Sequence, residues 1–353
     1  MARRGSRPPA AVRAKPHGGT GRLGRRDSLG LGVLALLAAA CGRPALAQPQ
    51  PSALVPDSTT LLLPGPEGNT IAQWAQEVAT RMARGLPHAV ALHSLVLGGP
   101  DGVTAANRFA TTEAGDGRLL LALPGLAAQA RLVGESRAQF DPEGWLPVCV
   151  SWQPAVLAGR GRYPLAGNRP LRLALSTPGA PETAALLALD LMGHPAVPLF
   201  NLTGPAAEAA LAAGEVDAMV IAAPAALRRA AELGLTPWLE LEVPGRRDYP
   251  ELPSTGMAAT LPAPLAAAEA GFAALRLRAA LMLPRLTSAD VVAAWRRAAL
   301  RWQEEEMRQP MEGAALALAG AEARAMVAAL TPTPTAVLAY REWLLRRLGF
   351  QAA

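Results

Sequence analysis

The sequence predicts an α/β protein of two domains, and three observations carry that expectation. An apolar triplet, Leu61-Leu62-Leu63, runs into a turn of glycine and proline and then into a stretch with helical periodicity. The same order returns after Leu95-Val96-Leu97. The roughly 306 residues that follow a basic leader in this 353-residue chain exceed one ordinary core and suit two domains of about 150 residues each.

In the first unit the turn is Pro64-Gly65-Pro66-Glu67-Gly68-Asn69-Thr70. Ile71, Trp74, Ala75, Val78, Ala79 and Met82 then share one face of a repeat of about 3.6 residues. A loop in that position leaves the first helical N–H groups without internal partners, so it is a seat for a small anion. The second loop, Gly98-Gly99-Pro100-Asp101-Gly102, precedes a polar-apolar stretch from Val103 to Glu113. Leu119 to Leu123 is a continuous apolar run of the length of a buried central strand, and Pro124-Gly125 ends it where a third loop meets the same cleft.

Trp145 to Leu157 reads as the first passage between domains, with Trp145 packed in a core and Trp152 either in a core or lining the cleft. Gly159 to Pro170 has no helical periodicity. Leu171, Leu173 and Leu175 alternate with Arg172, Ala174 and Ser176, the period of a half-buried strand, and Ser176 to Thr183 opens a helix through Leu191. Gly204-Pro205 starts a helix that ends at Gly214, and Val216 to Ala222 is the strand after it. Leu235 to Val243 and the proline-rich stretch Pro244 to Pro264 carry the chain back to the first domain. There Thr287 or Ser288 caps a helix whose buried stripe is Val291, Val292, Trp295, Ala299 and Trp302. Ala314 to Leu330 and Val337 to Leu348 read as two further amphipathic helices, neither approaching the about 20 apolar residues of a membrane span.

Residues 1–47 read as a secretory leader. Met1 to Arg26 is rich in arginine, Leu29 to Ala40 is a short apolar run, and Ala45-Leu46-Ala47 is a cleavage signal. Arg25-Arg26 directly before the run suggests the twin-arginine route, with the general secretory route as the alternative. Cleavage at Ala47 competes with lipid attachment at Cys41. Nine of the 34 basic residues and one of the 28 acidic residues lie in the leader, which leaves 25 against 27, a net of −2. The high overall pI therefore belongs to the leader and gives nucleic-acid binding no support.

Catalysis finds no foothold. The chain has no GxSxG elbow, no HExxH and no P-loop. His88 and His93 do not have the spacing of zinc ligands on one face, Glu304-Glu305-Glu306 cannot share one helix face, and Cys149 has the apolar neighbours of an inert thiol. Neither a metal nor a cofactor is expected.

The order of these segments resembles the Bug family, the periplasmic substrate-binding proteins of tripartite tricarboxylate transporters. The likeness is carried by Pro64 to Thr70, by Gly98 to Gly102, by Asp116-Gly117-Arg118-Leu119-Leu120-Leu121, and by Phe140-Asp141-Pro142 with Trp145, Pro147 and Val148. It continues through Gly214 to Met219, then Arg247, Pro250, Leu252-Pro253 and Thr255, and ends with Glu342-Trp343 and Gly349-Phe350. The resemblance implies a two-domain periplasmic-binding-protein fold of type II, the Venus-flytrap arrangement. Residues 48–157 with 263–353 would form the first domain and 158–262 the second. It also implies a small carboxylated ligand and a tripartite tricarboxylate permease in the membrane as partner. A receptor-like protein with a diverged site, used in sensing or protein interaction, is the alternative.

The site expected on these grounds is Glu67, Gly68, Asn69 and Thr70 in the first loop, Gly98, Gly99, Asp101 and Gly102 in the second, and Ser176, Thr177 and Thr183 from the second domain. The family's first loop generally carries an Asp near the place of Thr70. Asp101 and Glu67 raise an electrostatic question, because a carboxylate about 4 Å from a bound anion costs about 4 kcal/mol at an effective dielectric near 20. Either both acids point outward, or the ligand carries an amine or is neutral.

Overall fold

The computed structural model describes residues 55–112, 114–162, 169–257, 261–308 and 314–353. The leader, with Arg25-Arg26, Cys41 and the Ala45–Ala47 signal, lies outside the described residues, as do positions 163–168 of the Gly159 to Pro170 stretch. In chain order the elements are β1 (Ser58–Pro64), α1 (Thr70–Arg84), β2 (Ala91–Leu97), α2 (Val103–Thr111), β3 (Leu119–Leu123), α3 (Gly125–Val133), β4 (Leu146–Trp152), β5 (Ala155–Gly159) and β6 (Leu171–Ala174). They continue with α4 (Ala184–Leu191), β7 (Ala196–Leu199), α5 (Pro205–Ala213), β8 (Ala218–Ala222), α6 (Ala226–Glu232), β9 (Thr236–Glu240) and α7 (Pro262–Arg276). The chain closes with β10 (Leu277–Leu283), α8 (Ala289–Arg308), β11 (Leu316–Ala319), α9 (Gly320–Ala328) and α10 (Pro334–Leu348).

These strands make two sheets. The first has the order β11-β4-β10-β3-β1-β2 and the second β7-β6-β8-β5-β9. The apolar triplet explains the centre of the first sheet: Leu62 faces one core while Leu61 and Leu63 face another, all three at 2% exposure or less. A strand covered on both sides has no polar face to show, so it reads as a continuous apolar run. Leu119 to Leu123 follows the same rule, with Leu121 in one cluster and Leu120 in the other.

Both sheets share one plan. Three parallel strands run in the order second, first, third, then comes one antiparallel strand from elsewhere in the chain, then a fourth, and the first sheet adds β11 beyond it. The antiparallel member is β10 in the first sheet and β5 in the second. The passage between sheets is short, for only Gln153 and Pro154 separate β4 from β5. One core cluster extends across both sheets, from Leu62 and Leu121 to Leu157 and Leu173. Helix α7 packs between α3, α4 and α10, and its approach to α4 is close enough that a Cβ on Gly271 would stand 2.5 Å from that of Ala184.

Three differences from the sequence reading have physical causes. Residues 316–319, read as the start of a helix, instead pair antiparallel with β4 at the sheet edge, where backbone pairing overrides a weak helical preference. Strand β10 follows α7 directly at Leu277 with no glycine or proline to mark the change. Ile71 and Trp74, placed on the buried stripe of α1, are only half-buried, while Ala72, Ala75, Val78, Ala79 and Met82 make the core contact.

A buried guanidinium ties the crossings together. Arg276, the last residue of α7, has 0% exposure. It donates through Nη1 to the Leu241 carbonyl at 2.9 Å, through Nε to the Gln153 carbonyl at 3.4 Å, and through Nη2 to Asp248, and it lies 4.9 Å from the Trp152 ring centre. Glu240, also fully buried, stands 3.9 Å away and accepts the Asp248 N–H at 2.6 Å. Burial pulls the guanidinium below its ordinary range, and the two carboxylates oppose that. Leaving a buried charge without its partner costs about 3–5 kcal/mol. Asp248→Ala is therefore expected to lower unfolding free energy by about 3–5 kcal/mol in urea titration; a loss below about 1 kcal/mol would mean that Arg276 does not depend on it.

A second test concerns pH. Glu269, half-buried on α7, has its carboxyl pushed above the usual range, first by burial and then by the neighbouring Glu242. A raised folded-state value means that ionisation is resisted. Stability is full below the unfolded value of about 4.3 and is lost as pH rises through the folded one. Glu269→Gln is expected to raise the melting temperature at pH 7 and to leave it unchanged near pH 4, as read by thermal denaturation.

Candidate functional site

In open α/β sheets, ligands gather beyond the carboxyl ends of the strands where the order reverses. Here those ends carry three loops, and their glycines let the loops stack. A Cβ on Gly65 would lie 2.0 Å from the Gly98 carbonyl oxygen, and one on Gly102, which has φ +74°, would lie 2.5 Å from Pro124. A Cβ on Gly125 would lie 1.9 Å from the Ala274 carbonyl oxygen, so α3 begins pressed against the end of α7. Side chains at these positions would push the loops apart.

A cavity of about 350 Å³ opens at this place. The first sheet lines it with Thr70 and Ile71 at the start of α1 and with Pro124, Gly125 and Leu126 at the start of α3. The second sheet contributes Ser176, Ala180, Pro181 and Glu182, and the crossing contributes Gln153. The junction of α7 and β10 completes the wall with Ala274, Leu275, Leu277 and Arg278. Both walls are joined directly, since Gln129 of α3 donates through Nε2 to the Gly179 carbonyl at 2.8 Å.

The first-turn N–H groups of α1 and α3 give this cavity two positive helix ends. Arg278 adds a full charge. It is half-buried, and it has no hydrogen-bond or ion-pair partner among the described residues. The ladder between β10 and β4 skips it, with Leu277 opposite Trp152 and Ala279 opposite Ser151, and such an irregularity re-aims a side chain. The arrangement suits a carboxylate: a hydrogen bond from a charged donor contributes about 1.5–3 kcal/mol.

Of the residues expected from sequence, Thr70 and Ser176 line this cavity. Asn69 is not in the lining and is spent on the loop: its Nδ2 donates to the carbonyls of Pro64, Gly65 and Pro66 at 2.7–3.0 Å, and its Oδ1 accepts from Ala72 N–H at 2.8 Å as the cap of α1. Glu67 and Gly68 are exposed at the loop tip and are not in the lining. Gly98, Gly99 and Gly102 are not in the lining; Gly98 stands against Gly65 of the first loop and Gly102 against Pro124 of the third. Asp101 accepts the Val103 N–H at 3.1 Å and pairs with Arg137 at 2.5 Å, so its charge is already answered away from the cavity. Thr177 is exposed, and Thr183 is fully buried with its hydroxyl donated to the Thr177 carbonyl at 2.9 Å.

Ser176 carries a second consequence. Its backbone N–H donates to Glu182 Oε1 at 3.2 Å, and its hydroxyl donates to the same oxygen. The pair fixes a carboxylate in the lining. Glu182, Arg278, Gln153 and Gln129 were not among the residues expected from sequence. A signal existed for Gln129, the one amide in the otherwise apolar run Gly125-Leu126-Ala127-Ala128, and for Arg278, whose alternation Leu277-Arg278-Ala279 reads as a strand with a solvated face.

Several residues that the sequence singled out are scaffold. Trp145 sits edge-on to Phe109 and stacked on Phe140, and Trp152 is fully buried, away from the lining. Asp217 pairs with Arg172 at 2.7 Å, which holds its carboxyl below the usual range. Cys149 is fully buried, and burial pushes its thiol up. No group of His, Cys, Asp and Glu able to hold a metal ion occurs among the described residues. A larger cavity of about 630 Å³ lies between α1, α8, β4, β10 and β11; Arg278 lines it as well, as do Glu305 and Glu306, but the second sheet contributes nothing to it, and its Arg81 is paired with Glu77 and Glu306.

The fold is that of the two-sheet periplasmic solute-binding proteins. The chain is similar over 82% of its length, and over 98% of the other chain, to a TctC solute-binding protein from Polaromonas solved without ligand, with a TM-score of 0.60 and 16% identity. It is also similar to MatC from Rhodopseudomonas palustris, solved with bound malate, at a TM-score of 0.48 and 22% identity over 82% of this chain and 99% of that one. A further R. palustris protein, solved with adipate, aligns at a TM-score of 0.49 and 18% identity over 84% and 99%. No family model matches the sequence, and no curated protein does.

Proposed function

We propose that this chain is an extracytoplasmic solute-binding protein that captures a small carboxylated metabolite between its two sheets and hands it to a membrane permease of the tripartite tricarboxylate class. The observation that carries the reading is the unpartnered Arg278 beside the first turns of α1 and α3 in one cavity of about 350 Å³. Each of these three groups favours negative charge, and they converge from different elements. The fold shared with the TctC protein supports the same reading. The first lobe would comprise 48–157 with 263–353 and the second 158–262. The leader would export the chain to the periplasm and be removed after Ala47. The protein acts by binding rather than catalysis: a ligand touched by both lobes favours the arrangement in which they enclose it.

Arg278 gives the test. Because it has no partner to lose, Arg278→Gln is expected to leave the melting temperature unchanged. The same change removes a charged hydrogen-bond donor from the ligand, with about a 10- to 150-fold loss of carboxylate affinity in calorimetry. Unchanged affinity would remove the reading.

A further inference from the structure

The cavity holds two opposite charges, neither of which has an ion-pair partner among the described residues. Arg278 stands on the wall made by the α7–β10 junction, and Glu182 stands on the wall made by the second sheet. Glu182 is held by Ser176 through Oε1 alone, and its Oε2 has no partner among the described residues. The other acids near the loops are out of reach of a guest, since Asp101 is paired with Arg137 and Glu67 is exposed outside the lining. A purely anionic ligand would satisfy Arg278 and the two helix ends but would meet the carboxylate of Glu182 across a small cavity. Repulsion of that kind is of the same order as the hydrogen bonds that hold the ligand.

We infer that the ligand is zwitterionic: a carboxylate faces Arg278 and the first turns of α1 and α3, and an ammonium group faces Glu182. This rests on the carboxylate reading and names the class of ligand within it. Ser176 is then a positioning residue, which aims Glu182 rather than touching the ligand's carboxylate. A site with one fixed cation and one fixed anion selects against dicarboxylates by leaving Glu182 unanswered, and against amines by leaving Arg278 so.

The experiment is calorimetry on the full mature chain with two matched pairs, pentanoate against 2-aminopentanoate and adipate against 2-aminoadipate. The amino member of at least one pair is expected to bind about tenfold tighter or more, the effect of one charge-assisted hydrogen bond. Glu182→Gln is expected to abolish that preference, and Ser176→Ala, which leaves Oε2 in place, to reduce it less. Equal binding within both pairs overturns the inference while leaving carboxylate capture intact, as it would if Arg278 and Glu182 paired with each other around the ligand. A preference that survives in Glu182→Gln overturns it as well. Failure of all four acids to bind removes the carboxylate reading together with this one. The comparison within each pair needs no variant, so a Glu182→Gln protein that fails to fold leaves the test in force.

Discussion

The buried guanidinium of Arg276 is the constraint on which the rest of the molecule depends. Its own backbone ends α7, its hydrogen bonds reach the outward crossing at Gln153 and the return segment at Leu241 and Asp248, and it lies against the ring of Trp152. A charge taken out of water is tolerated only where partners surround it, so each of these segments is held to a defined place. Ala274, Leu275, Leu277 and Arg278, the residues on either side of it, form a wall of the cavity. The position of the one free cation in that wall thus follows from the position of the buried one two residues earlier.

The glycine loops contribute in a different way from the one their composition suggests. Glycine-rich turns before helices offer backbone donors to anions, and the first and third loops do present helix starts to the cavity. The second loop is spent on packing: Gly98 stands against Gly65, Gly102 against Pro124, and Asp101 accepts the Val103 N–H while pairing with Arg137. Its glycines allow the other two loops to stand close together, which is a structural need as strict as ligand contact.

Much of the fold was legible because buried central strands and amphipathic helices impose clear periods. Leu61 to Leu63, Leu119 to Leu123 and the stripe of α8 are examples. The start of strand β10 was not legible, since α7 runs into it through Leu275-Arg276-Leu277-Arg278 without a breaker and only pairing with β3 and β4 marks where the strand begins. Strand β7 carries Pro198, which a sequence argues against in a sheet, and it is accommodated at an edge. That Thr70 and Ser176 line the cavity was legible from loop position. Glu182 sat inside the same quoted segment but gave no sign that a hydroxyl six residues away would aim it. Arg278 gave the sign of an ordinary solvated strand residue, and its alternation does not reveal the skipped register that sets it at the edge of the cavity.

In the proposed mode of capture a carboxylate sits at the first turns of α1 and α3, opposite Ser176 and Glu182, and not in the larger chamber beside α8. Amide hydrogen exchange, recorded with and without whichever carboxylic acid gives the largest thermal shift, reads that location directly. Slowed exchange is expected in 70–73, 125–128 and 176–182, with α2 and α8 unaffected. Protection confined to α8 and β11, with 70–73 and 125–128 unchanged, would contradict it.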